Sequence, residues 1–172
     1  MLALPFGGDS PDVAASAWVA PNATLIGRVT IGEQASVFYG AVVRGDRDSI
    51  ELGARSNLQD NVTVHVDPGA AVVIGEGVSV GHGAVIHGCL IEDDCLIGIN
   101  ATVLNRALIG TGSLVAAGSV VLEDTIIPPR SLVAGVPAKV RRELTPDEVA
   151  GIRRNAQTYV ELAAAHRELG SA

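Results

Sequence analysis

The chain has 172 residues and a formal charge of −7, with 48% hydrophobic, 18% charged and only 3% aromatic residues. That length suits one domain with a sizeable core, and the apolar content argues against disorder. The acidic balance disfavours a general nucleic-acid role, which wants a basic face, and no apolar run nears the ~20 residues of a membrane span.

The N-terminus, "MLALPFGGDSPD", lacks a basic segment followed by a long apolar one, so no signal peptide is read and a cytoplasmic location is expected. From residue 31 aliphatic residues recur as openers of short segments: Ile31, Val37, Val43, then Leu52, Leu58, Val64, then Ile74, Val80, Ile86. From residue 91 the spacing is six throughout: Ile91, Ile97, Val103, Ile109, Val115, Val121, Ile127, Val133. The fourth residue after each opener of this later run is compact: Cys95, Ala101, Ala107, Ser113, Ser119, Thr125, Ser131, Pro137. Three steps break the period: Val43 to Leu52 is nine residues, Val64 to Ile74 ten, and Ile86 to Ile91 five.

A period of six fits neither a helix nor a sustained alternating strand, and a Val/Gly-rich β-sandwich does not produce it. It fits an all-β solenoid, a parallel β-helix in which each hexad forms one side and a corner of a triangular coil. Openers point inward and stack on those of the next coil, so each coil is stabilised by its neighbours. The β-helix is expected over residues 1–140. Residues 141–172 are expected to form a helix packed on the prism or on a neighbouring subunit. Thr145, Pro146 and Glu148 read as N-cap, first helical position and capping-box partner. Val149, Ile152, Ala156, Tyr159 or Val160, Ala163 and Leu169 give its apolar stripe, with Gly170 as the stop.

The register orders the histidines. Val43, Val64, Ile86, Val103 and Val121 share one side, here face A. Leu58, Val80, Ile97 and Val115 share another, face C. Arg44, His65 and His87 each follow an opener of face A, so they should stack in one column about one strand spacing, ~4.8 Å, apart. His82, with Gln59 and Asp60, belongs to face C. It cannot easily reach the other two histidines within one chain, but a second chain could bring its face C against face A. Such a heterologous contact closes most simply into a trimer, with a three-histidine metal site at each interface. A lone histidine at a corner is ordinarily only solvated, and His166 is read that way. Cys89 is read as a small corner or buried thiol, and Cys95 as packing.

The pieces "YGAVVRGD", "NLQDNVTVHVD", "VGHGAVIHGC" and "GVPAKVRREL" resemble the γ-class carbonic anhydrase family of left-handed β-helix trimers. The resemblance covers nearly the whole chain. It implies a homotrimer with His65 and His87 of one subunit and His82 of the next as metal ligands. Gln59 would orient water or bicarbonate, with Asn57 as its companion. Arg44 and Asp60 would pair across the interface, with Asp46 beside them, and Tyr159 is a candidate helper from the helix. The implied reaction is reversible hydration of CO₂ to bicarbonate by a metal-bound hydroxide. Zn²⁺ is the default metal, with Fe²⁺ or Co²⁺ also suited to three imidazoles. "RGDRDSIEL" lacks the acidic loop with a glutamate proton shuttle carried by the best-known active members. Alternatives are a coenzyme A thioesterase of the same family, a hexapeptide-repeat acyltransferase using one histidine base, and a metal-bearing scaffold with little turnover.

Overall fold

A computed structural model describes residues 1–169. Short parallel strands wind into a three-faced solenoid, and the inward residues stack in columns. Face A stacks Leu25, Val43, Val64, Ile86, Val103 and Val121 in direct register. Face B stacks Val13, Ile31, Leu52, Ile74, Ile91, Ile109 and Ile127. Face C stacks Val19, Val37, Leu58, Val80, Ile97, Val115 and Val133. From Leu25 onward, nearly every one of these side chains is fully buried. The expected columns are therefore present. They also begin three hexads earlier than the sequence reading, at Val13, Val19 and Leu25.

Faces A and B are linked in one twelve-stranded sheet, because the long strands Thr24–Ile31 and Val42–Leu52 run around their shared corner. Face C forms a separate eight-stranded sheet. The compact residues Cys95, Ala101, Ala107, Ser113, Ser119 and Ser131 are buried, whereas Thr125 is half-buried and Pro137 exposed. Pro137 lies where the repeat stops: the chain reverses and Ala138–Glu143 pairs antiparallel with Ser131–Gly135. Asn100 and Arg106 adopt left-handed backbone at corners, with φ of 55° and 58°. Both are exposed, and Arg106 is ion-paired with Asp124 and Glu123.

The helix spans Pro146–Leu169. Its capping box forms as the sequence indicates: the Glu148 carboxylate accepts from the Thr145 N–H at 2.8 Å, and Thr145 Oγ1 accepts from the Glu148 N–H at 3.3 Å. Ile152, Ala156 and Ala163 are its buried residues, and it lies along the N-terminal coils of face C in the same chain. Leu169 departs from the expected stripe, being 70% exposed. Gly170, the expected stop, lies outside the described residues. Three of the five aromatic side chains gather under the helix. Trp18, Phe38 and Tyr39 surround His166, whose Nδ1 is 2.9 Å from the Tyr39 hydroxyl. His166 is thus a docking contact of the helix, not the solvated residue expected. Cys89 and Cys95 are buried free thiols, and burial pushes each up to about 12.

Candidate metal centre

On face A, Arg44, His65 and His87 are in direct strand register, the column expected from the hexad phase. The two imidazoles meet edge to face with centroids 4.9 Å apart, and His65 Nδ1 lies 2.9 Å from His87 Nε2. The outer nitrogen of each ring faces an oxygen. His65 Nε2 is 3.1 Å from Asp46 Oδ1, and His87 Nδ1 is 2.6 Å from Asn105 Oδ1. Asp46 also accepts from the Arg44 guanidinium. Burial pushes the Asp46 carboxyl up, but the bonds from Arg44 and His65 outweigh it and hold the group below its ordinary range.

His82 is on another face, after Val80. Its Nδ1 is 2.8 Å from Asp60 Oδ2 and its Nε2 is 3.5 Å from the Tyr159 hydroxyl. Gln59 and Asn57 are buried beside it. Gln59 Oε1 accepts from the His82 backbone N–H at 3.2 Å, Gln59 Nε2 donates to Asn57 Oδ1 at 3.2 Å, and Asn57 Nδ2 donates to Ser79 Oγ at 2.9 Å. Each amide is thereby locked by its neighbour. A cleft of about 240 Å³ runs between this edge and the helix, lined by Gln59, His82, Ile97, Ile99, Asn155 and Tyr159. Burial, then the Asp60 carboxylate, raises the Tyr159 phenol above its ordinary value, so it remains a donor at neutral pH.

The site residues named from sequence therefore fall into two groups. Arg44, Asp46, His65 and His87 meet on face A. Asn57, Gln59, Asp60, His82 and Tyr159 meet on face C. Within one chain Arg44 takes Asp46 as its partner and Asp60 takes His82. Sequence reasoning missed Asn105, which binds His87; Asp67, which binds Asn105; and Asn155, whose Oδ1 is buried without a partner beside the cleft. None follows a motif, since each is recognised only by a side-chain contact across coils or from the helix.

The donor set on face A, two imidazoles, fits a borderline divalent metal such as zinc. With Asp46 and Asn105 occupying the outer nitrogens, the inner nitrogens of His65 and His87 converge. Two nitrogens at about 2.05 Å from one tetrahedral zinc lie roughly 3.3 Å apart, close to the 2.9 Å found here. Among the described residues, no group of three metal-ligating side chains gathers within a single chain.

The bacterial transferase hexapeptide model, which describes six repeats, matches residues 88–123. The structure superposes on a hexapeptide transferase family protein from Anaplasma phagocytophilum with a TM-score of 0.92 and 38% identity, covering 95% of this chain and 97% of that one. "Gamma carbonic anhydrase 2, mitochondrial" of Arabidopsis thaliana is 43% identical over 91% of this chain, which spans only 59% of that longer protein. The "probable carbonic anhydrase" of Methanocaldococcus jannaschii is 53% identical over 84% of this chain and 91% of its own length. Identity of this extent, spread over coils that carry both histidine faces, places the chain in the γ-class carbonic anhydrase family of hexapeptide-repeat proteins.

Proposed function

We propose that the protein is a metal-dependent carbonic anhydrase, hydrating CO₂ to bicarbonate at the interfaces of a homotrimer. The convergent His65 and His87 nitrogens on face A carry this reading, together with a third histidine held at a different face. His65 and His87 of one subunit and His82 of its neighbour would hold the metal, with zinc as the default and iron or cobalt as alternatives. When bound, the metal supplies a Lewis acid that makes water nucleophilic at neutral pH.

The chain's own residues supply orientation. Asp46 holds the outer nitrogen of His65, Arg44 holds Asp46, and Asp60 holds the outer nitrogen of His82. Closing Arg44 of one subunit against Asp60 of the next would join these two supports into one charged chain across the interface. Gln59 has both ends anchored but retains a second amide hydrogen, suited to an oxygen of water or bicarbonate. The Tyr159 hydroxyl, kept protonated, is suited to the same role from the helix. Leu96 and Ile99 give the cleft an apolar wall, which matches a small apolar substrate. The test is zinc, iron and cobalt content of the purified protein, followed by CO₂ hydration and coenzyme A thioester hydrolysis assays on the metal-loaded trimer. Hydration that is lost on chelation supports the proposal. Thioester hydrolysis without CO₂ hydration would replace it.

A further inference from the structure

We infer that Asn105 and Asp67 form a positioning pair that fixes the tautomer and tilt of the His87 ring. The inference deepens the metal-site reading and rests on it for its purpose, but its geometry is independent of any metal. It follows from counting donors and acceptors. The exposed Asp67 side chain is a carboxylate, an acceptor only. The end of the Asn105 amide that lies 2.9 Å from Asp67 Oδ2 must therefore be the NH₂. Flipping the amide would set its carbonyl against the carboxylate. The opposite end, Oδ1, then faces His87 Nδ1 at 2.6 Å and can only accept. Nδ1 of His87 must carry the ring hydrogen. In the neutral ring Nε2 then keeps the lone pair, directed at the His65 ring.

The fold makes room for this relay in two places. Asp67 sits in the ten-residue step between Val64 and Ile74, where Asp67 and Ala70 close a tight turn through Pro68 and Gly69. That excursion carries a carboxylate past the coil of His87 to the coil of Asn105, 38 residues away. Gly88 supplies the other. Its φ is +56°, and a Cβ there would lie 2.2 Å from Asn105 Oδ1. Only glycine leaves space for the Asn105 amide beside the residue that follows His87. Asp46 and Asp60 act directly on His65 and His82, whereas His87 is held through an amide whose direction is set by a more distant carboxylate.

The test begins with the metal-free protein. Ring-nitrogen correlation NMR of ¹⁵N-histidine-labelled wild type should show His87 as the Nδ1–H tautomer. Asn105→Ala should convert it to a mixture, and Asp67→Asn, a surface change, should do so partially by freeing the amide to flip. Zinc affinity, read by competition with a chromophoric chelator, should fall about tenfold in Asn105→Ala. The swapped pair, Asn105→Asp with Asp67→Asn, places the carboxylate against the ring and the amide outside. It should restore both the tautomer and the affinity, which repair of a merely structural defect would not achieve. An unchanged His87 tautomer in both single variants, or zinc affinity within about twofold of wild type in Asn105→Ala, would overturn the inference. If wild type binds no zinc at all, the proposed function fails, yet the tautomer measurement still decides the role of the pair. If Asn105→Ala does not fold, Asp67→Asn and the swapped pair carry the same readouts.

Discussion

Mixing two inactive variants should restore activity. His65 and His87 sit 2.9 Å apart on face A, while His82 is bound to Asp60 on face C. A site at a subunit interface takes face A from one chain and face C from the next. His65→Ala spoils face A and leaves face C intact, and His82→Ala does the reverse. Each variant alone lacks a ligand at every site and should be nearly inactive. When equal amounts are unfolded together and reassembled at random, an interface is complete if its face A comes from the His82 variant and its face C from the His65 variant. Each condition has probability about one half, so about a quarter of wild-type sites return under cyclic symmetry. Mixed assembly is verified by mass spectrometry with one variant isotope-labelled, and CO₂ hydration is read by stopped flow with a pH indicator. The control mixes His65→Ala with His87→Ala. Both losses lie on face A, so no arrangement completes a site. Recovery in the control, or none in the first mixture despite verified mixing, would refute the division of ligands between chains.

Ile97 is fully buried at the middle of face C, stacked between Val80 and Val115. Ile97→Ala should cost about 2–5 kcal/mol in denaturant unfolding, because neighbouring coils cannot close the gap independently. Cys89 has its thiol raised from 9.0 to about 12 by burial, so its thiolate is scarce at neutral pH and native protein should resist alkylation at this residue until unfolded. The sign for stability is the same: an unfolded chain releases this proton near pH 9 and the folded chain retains it to about 12, so stability should fall across that window. Cys89→Ala should flatten that alkaline limb in pH-dependent melting. Gly88→Ala should displace Asn105 and strain a backbone at φ +56°, costing roughly 1–2 kcal/mol for the left-handed conformation and lowering zinc retention after dialysis against a weak chelator.

The register was legible because a six-residue period leaves little choice. Once the openers were aligned, His65 had to lie beside His87 and His82 had to leave that face, and the strand pairing agrees. The early hexads were harder to read. Val13, Val19 and Leu25 keep the spacing and Ala17 and Ala23 keep the compact position, but Val29 is larger there and Pro11, Trp18 and Pro21 fall among the openers. His166 was misread because nothing in its own helical stretch marks that Trp18 from one coil and Phe38 and Tyr39 from another gather beneath the helix. Asn105 and Asp67 were illegible for a related reason. Their roles depend on which way two polar side chains turn at an outer corner, and hydrophobic periodicity constrains only the residues that point inward.

The breaks in the period and the site have one cause. All three irregular steps occur at the same corner, between face A and face B, and each contains a member of the Arg44, His65, His87 column as its second residue. A strict hexad spends its backbone on one inward side chain and one turn, leaving no length for a second layer beside a corner residue. The nine-residue step from Val43 provides it, as strand Val42–Leu52 carries Asp46 back onto His65. The ten-residue step from Val64 swings Asp67 out to Asn105. The five-residue step from Ile86 does the opposite: it tightens the turn through Gly88, so that the Asn105 amide can approach His87. Beyond Val103 the step returns to six, no histidine occurs in the column, and Leu104 takes its place. The regular coils supply stacking energy and hold the prism straight, while the irregular ones supply the polar supports that a bare histidine column lacks. Restoring the period at this corner would therefore keep the fold's columns but strip Asp46 and Asp67 from the imidazoles they orient.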